Sequence, residues 1–193
     1  MRRAKKKGVK NSFFHKAVPL RIKLLFIFGM SCLLFFFSWK IHEKSVLSFV
    51  SRPAFIRHQN ATHFPILLSI PSIHISLSVH ETNIIGNIWQ IADNGLSHLA
   101  ISGYPGENST SVFYGHNTID KLANLPYVQT GAQITIITAD KTIYHYRITQ
   151  TEIVNPNQTD VLTNQTGETL IVYTCYGLFD NQRFLAIAKP ENK

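Results

Sequence analysis

The stretch Thr169-Leu170-Ile171-Val172-Tyr173-Thr174-Cys175, with Arg183-Phe184-Leu185-Ala186-Ile187-Ala188 shortly after it, decides how this chain is read. Each run is apolar and rich in β-branched and aromatic residues, which suits a buried strand. The first ends in a thiol and the second opens with a guanidinium. Two adjacent strands of this kind bring Cys175 and Arg183 to the same end of a sheet. Upstream, Tyr114-Gly115-His116-Asn117 closes another strand-like run and supplies an imidazole. A thiol, an imidazole and a fixed positive charge are the minimum parts for acyl transfer through a thioester.

The same strand signal recurs on either side. Short runs rich in Ile, Val, Thr and Tyr occupy 67–70, 73–79, 99–102, 111–114, 132–138, 142–150, 169–174 and 184–188. Turn formers such as Pro71, Asn94-Gly95, Pro105-Gly106, Gly131, Pro156 and Gly177 separate them. The segment 134–148, with Ala139-Asp140-Lys141 in the middle, reads as a hairpin. Helix is expected only around 83–92 and 120–125. About eight strands in this space predict a single all-β barrel or sandwich over residues 63–193.

The formal charge of +8 is a local property. Nine of the 19 Lys and Arg residues precede residue 24 with no acid among them, which leaves ten against eleven Asp and Glu in the rest. The basic charge belongs to a tail, 1–23, and a basic nucleic-acid-binding domain is excluded as a partner surface. Residues 24–39 follow without a charge between Lys23 and Lys40. At about 1.5 Å per residue these 16 residues reach roughly 24 Å, and the snorkelling lysines and Trp39 extend that toward a bilayer core. No small-residue cleavage site follows in Ile41-His42-Glu43-Lys44-Ser45, so an uncleaved anchor is expected. The positive-inside rule keeps the tail cytoplasmic and exports the remainder. Residues 40–62 are polar and mixed and read as a stalk; they show no obvious lid, although a segment in this position could fold over the site.

Only two cysteines occur, Cys32 in the apolar segment and Cys175 alone outside it, so no disulfide framework is available. Cys175 is a nucleophile or an inert buried thiol; placed at a strand end, it is expected to be reachable. His116 stands out among nine histidines because it follows Gly115 at a strand end, and His98 is the second choice. Arg183 either pairs with Asp180 or binds a peptide carbonyl and the oxyanion that develops from it. The acids of the folded part are scattered singly and no phosphate loop is present, so neither metal nor cofactor is implied.

Taken together, these residues resemble the sortases, bacterial cysteine transpeptidases, over about residues 64–190. Ser69-Ile70-Pro71-Ser72-Ile73 is similar to the opening I-P-x-I strand, Gly95-Leu96-Ser97-His98-Leu99 to a G-x-G-H segment, and Gly103-Tyr104-Pro105-Gly106 to an L-P-G turn. Val112-Phe113-Tyr114-Gly115-His116-Asn117 resembles the A-G-H block, 171–175 the T-L-x-T-C strand, and 183–188 the arginine strand. The resemblance implies an eight-stranded β-barrel with Cys175 as nucleophile, His116 as general acid and base, and Arg183 as substrate and oxyanion stabiliser. It implies cleavage of a Leu-Pro-x-Thr-Gly type sorting signal after Thr and transfer to an amine of a cell-wall precursor or a pilin lysine. It further implies substrate contacts from Asn117, Thr174, Val154, Val161 and Leu162. The chain departs from the pattern at Ile171, Val172, Ser97 and Tyr114, the last standing where a small residue is usual. The short 175–183 connection and modest 154–168 segment point to the small class D or E-like branches. A non-catalytic β-domain that binds cell-wall peptide is the competing expectation.

Overall fold

In the computed structural model, strands β9 (Thr169–Tyr176) and β10 (Gln182–Pro190) are antiparallel neighbours, with Cys175 directly opposite Arg183. The structure describes residues 19–45, 47–51, 53–55 and 63–191, the side chains of 39–45 excepted. The basic tail through residue 18, residues 46, 52 and 56–62 of the stalk, and the Trp39, Lys40 and His42 side chains lie outside the described residues.

Around that pair the remaining strands are β1 (Pro65–Ile70), β2 (Ile75–Thr82), β3 (Ile84–Ile85), β4 (Ile88–Trp89), β5 (Leu96–Leu99), β6 (Thr110–Gly115), β7 (Gln133–Thr138) and β8 (Ile143–Val154). Eight of the ten close into a barrel in the order β1-β2-β5-β6-β9-β10-β8-β7, and β3 and β4 form a separate two-stranded hairpin. The predicted β7–β8 hairpin forms, with Ile137 opposite Ile143 and Lys141 at φ 66° in its turn. Two contacts are parallel, β2 with β5 and β6 with β9.

Strand alternation divides the apolar residues into two layers. One layer fills the lumen and draws on all eight barrel strands, including Leu68, Ile75, Leu96, Phe113, Ile134, Tyr146, Leu170 and Phe184. The other lies outside the β6-β9-β10-β8 wall: Val112 and Tyr114, Ile171, Tyr173 and Cys175, Leu185 and Ile187, and Val154. Ile84, Trp89, Leu99 and Leu162 complete that outer layer, together with Leu47 and Phe49 from before the barrel. Arg183 shares the parity of Leu185 and Ile187, so it faces the outer layer too.

Two sequence expectations are corrected. Residues 83–92 form the β3–β4 hairpin rather than a helix: β-branched Ile84, Ile85 and Ile88 favour extended backbone, and Gly86 turns the chain at φ 62°. Residues 120–125 form turns leading into the 3-10 helix Leu125–Tyr127, and the helical pieces of the described barrel domain are all 3-10. The fifth strand also starts earlier than expected, at Leu96, immediately after Gly95 at φ 70°.

Before the barrel, α1 (Leu20–Ser45) runs for 26 residues, about 39 Å at 1.5 Å per residue. Its segment Leu20–Ser38 has a mean hydropathy of 2.0 and none of that surface is covered, so by length and composition it can cross a membrane. The helix continues past Trp39 into the segment read as a stalk.

Candidate active site

The site is set by strand register. Cys175 sits one residue from the end of β9, opposite Arg183 on β10. On the other side of β9, the last residue of β6, Gly115, is level with Thr174. Thr174 is fully buried and its Oγ1 donates to the Gly115 carbonyl at 2.9 Å, tying the two strand ends together. His116 is the next residue after β6. Val112 and Tyr114, on the last turns of the alternation before it, face the outer layer with Cys175. Cys175 and Arg183 therefore share one rim and one face, and His116 follows directly on the strand end beside them.

Gly115 is needed for this close approach. A Cβ there would lie 2.9 Å from Leu96 Cδ2 and 3.4 Å from Leu122 Cδ1. Beyond it, His116 is half-buried and Asn117 is exposed in the following bend. Asp120 lies close enough to feel the imidazole: its carboxyl is held below the usual range, chiefly by a hydrogen bond from Thr118 and to a smaller degree by His116. His98, the second-choice imidazole, is 0 % exposed between Tyr104 and Phe113, with Nε2 3.1 Å from the Gly103 carbonyl and Nδ1 3.6 Å from Glu81 Oε1.

Cys175 is only 2 % exposed, so the reachability expected of a strand end is absent. Burial pushes its thiol up to about 12; the Arg183 charge pulls it down and Asp180 pushes it up. Arg183 is equally buried. Its Nη1 donates to the carbonyls of Asp180 (2.9 Å) and Gln182 (2.8 Å), so it engages the backbone of Asp180 instead of forming the ion pair considered from sequence. Its Nη2 donates to the Ser48 carbonyl at 2.9 Å. Its Nε–H is buried and has no partner among the described residues. The turn between thiol and guanidinium is tight, with Gly177, Phe179 and Asp180 all at positive φ, and Phe179 is 85 % exposed.

Val154 stands opposite Arg183 on β8, and Leu162 is fully buried in the outer layer with Val161 packed against it. These three expected substrate contacts therefore border the same surface as Cys175. Sequence reading missed what covers that surface. The rings of Phe49, Trp89, Tyr114 and Tyr173 form a cluster with centroids 5.2–6.1 Å apart. The alternation Leu47-Ser48-Phe49 is the signal that marks a strand-like, one-sided segment within the supposed stalk. Among the described residues, no group of three His, Cys, Asp or Glu side chains is placed to hold a metal ion.

A sequence model of the sortase domain matches residues 68–191, most of the barrel. The chain belongs to the sortase family. Solved sortases share its fold: Streptococcus agalactiae sortase C1, crystallised with MTSET, has a TM-score of 0.58 at 20% identity, covering 69% of this chain and 71% of that one. Sortase C from Clostridium perfringens SM101 gives 0.56 at 21% identity over 72% and 73% of the two chains. Sortase A from Corynebacterium diphtheriae gives 0.58 at 24% identity over 70% of this chain and 64% of its own. At these identities the likeness establishes the fold alone, and the class D or E-like branch is not set by it. No curated protein sequence matches the chain significantly. As a member of the family, this sortase falls in the class of cysteine transpeptidases.

Proposed function

We propose that this sortase is a membrane-anchored transpeptidase that cleaves a Leu-Pro-x-Thr-Gly type signal after Thr and passes the acyl group to an amine. The observation that carries the reading is the direct pairing of Cys175 with Arg183 across β9 and β10, with the end of β6 alongside. His116 takes the thiol proton as Cys175 Sγ attacks the Thr carbonyl carbon, and the guanidinium of Arg183 stabilises the oxyanion. The tetrahedral carbon then expels the amine of the following residue, which takes the proton from the imidazolium, and a thioester remains. An incoming amine attacks the thioester, gives a proton to His116 and releases the thiol. Val154, Val161 and Leu162 present an apolar border for the Leu-Pro part, and Asn117 and Thr174 flank the reacting centre.

The amine donor is a cell-wall precursor or a pilin lysine. The apolar helix serves as an uncleaved anchor with its basic end in the cytoplasm and the barrel outside, a topology supported by the one-sided charge of the tail. Incubating the purified protein with a Leu-Pro-x-Thr-Gly peptide and hydroxylamine tests the reaction. Hydroxamate is expected from the wild type and lost in Cys175→Ala. Free acid alone, with amine present, identifies a hydrolase. Absence of product together with tight peptide binding identifies a binding domain.

A further inference from the structure

Two connections leave the rim that carries the thiol, and both expose the same pair of side-chain types. The ends of β6 and β9 are level, Gly115 beside Thr174, so the chain after His116 and the chain after Cys175 depart from one end of the wall. The first presents Ile119, 93 % exposed, followed by the exposed Asp120. The second presents Phe179, 85 % exposed, followed by the exposed Asp180. Each connection thus sets an uncovered apolar residue next to a carboxylate. In the second, Phe179 (φ 55°) and Asp180 (φ 56°) both hold left-handed backbone, and the Asp180 carbonyl is anchored by Arg183 Nη1 at 2.9 Å. Backbone of this kind at non-glycine residues costs about 1–3 kcal/mol each and persists where the surroundings impose it.

The two carboxylates stand by different reacting groups. Asp120 is held ionised by Thr118 above all, and His116 contributes to the same effect. Burial is the main cause of the raised Cys175 thiol; Arg183 opposes that rise and Asp180 adds to it. The cations of these segments are directed to carbonyls instead. Lys121 Nζ donates to Asp93 at 2.8 Å and to Ala92 at 3.3 Å, and the Arg183 guanidinium serves three carbonyls. The rim therefore offers negative charge flanked by apolar surface, which suits a cation on an apolar stem. A thioester at Cys175 waits for such a group: an alkylamine, with an ordinary pKa near 10.4, arrives as an ammonium at neutral pH. The α-amine of a glycine, with a pKa of about 8, is partly uncharged and brings no stem.

We propose that Ile119–Asp120 and Phe179–Asp180 form the acceptor side of the site and select a primary amine on an alkyl stem, of the lysine side-chain kind, over the α-amine of a glycine. The proposal rests on the reading of the protein as a transpeptidase that acts through a Cys175 thioester. Ile119 and Phe179 cover the stem, and Asp120 and Asp180 orient the ammonium. After the first half-reaction His116 is neutral, because its proton has left with the first amine. The ammonium gives one proton to His116, from which it passes to water, and the free amine attacks the thioester carbon. The C–N bond forms, the C–S bond breaks, and a second amine proton ends on the sulfur. The carboxylates take no proton in this sequence; they set which amine is held in place to react.

The test uses the full-length protein in detergent micelles with a Leu-Pro-x-Thr-Gly peptide as donor, and resolves the products by mass. Nα-acetyl-lysine amide and triglycine compete at equal concentration; hydroxylamine, uncharged at neutral pH and without a stem, is run alone. The wild type is expected to form the lysine product over the triglycine product by about threefold or more. When Asp120→Asn and Asp180→Asn are combined, kcat/KM for the lysine amide relative to that for hydroxylamine is expected to fall about threefold to tenfold. Phe179→Ser should lower the same ratio about threefold. Each ratio is taken within one enzyme, so a loss of folded protein cancels, and asparagine tolerates left-handed backbone at position 180. An unchanged ratio in the double variant, or a wild-type preference for triglycine, overturns the assignment while hydroxamate formation keeps the reaction standing. No product from any amine brings down the reaction itself, and the assignment with it.

Discussion

The rings of Tyr114 and Tyr173 lie stacked, 5.3 Å between centroids and 11° from parallel, on adjacent parallel strands. Tyr114 occupies the position where a small residue is usual in the resembling motif, and the stack is its explanation. The Tyr114 hydroxyl donates to the Gln90 carbonyl at 2.5 Å and lies 2.9 Å from Thr82 Oγ1, so the ring also pins the β3–β4 hairpin to the wall. Tyr114→Ala is expected to destabilise the barrel domain by about 3–5 kcal/mol. Tyr114→Phe, which strands the Gln90 carbonyl, should cost about 1–3 kcal/mol. Urea unfolding followed by tryptophan fluorescence checks both, and equal stability of Tyr114→Ala and wild type would refute the role given to the stack.

The two histidines should separate cleanly. His116→Ala is expected to lower hydroxamate turnover about 10²–10⁴-fold with little change in stability. His98→Ala should do the reverse, costing about 2–4 kcal/mol through its lost packing on Tyr104 and Phe113 while the folded fraction keeps its rate. Parallel measurement of kcat and the urea midpoint decides between them. A catalytic collapse in His98→Ala would reverse the assignment.

Thiol acidity gives a pH prediction with a definite sign. The folded Cys175 thiol is pushed up to about 12 by burial, above its unfolded value near 8.5. The unfolded chain therefore loses this proton first as pH rises, and the folded state keeps it. The associated stability is fully present below about pH 8.5 and is lost progressively as pH climbs toward about 12. At pH 9 the folded protein should react with iodoacetamide on the order of a hundredfold more slowly than the urea-unfolded chain. Comparable rates would show that the thiol is not screened in the resting state.

Gly115→Ala places a methyl 2.9 Å from Leu96 Cδ2 at the strand end that carries His116. Overpacking of this kind should cost about 1–3 kcal/mol and shift the imidazole, so turnover falls by more than the loss of folded protein explains. Activity per folded molecule, measured beside Gly115→Ser, is the readout. A wild-type rate in both would detach the glycine from the site.

Arg183→Lys keeps the charge and loses the fork. The guanidinium serves three carbonyls at once, those of Asp180, Gln182 and Ser48, which a single ammonium on a flexible stem cannot reproduce. Turnover is expected to fall about 10²–10³-fold. Full activity in this variant would assign the residue to folding alone.

Much of the barrel was legible because apolar strand runs and turn residues agree along the chain. The two runs that end at Cys175 and begin at Arg183 fall on β9 and β10, and the 134–148 hairpin has its turn where Asp140-Lys141 predicts it. Residues 83–92 misled because Ile84, Ile85, Ile88, Trp89 and Ile91 also match a helical period, and only the neighbours that bury Trp89 choose between the two. That a strand ends just before His116 was legible from Val112-Phe113-Tyr114-Gly115, while the parallel β6–β9 register that sets Gly115 beside Thr174 is not written in the sequence. The burial of Leu47 and Phe49 was hidden by a polar, mixed context in which two apolar residues carry little weight. Their partners, Tyr173 and Arg183, are more than 120 residues away.

The last strand of the chain, β10, is not at an edge of the sheet but is inserted between β8 and β9. A polypeptide still emerging from the ribosome, or cut short near its end, therefore has a gap in the wall and lacks the guanidinium beside its thiol. Closure of the barrel therefore waits for β10 to enter between two strands made before it.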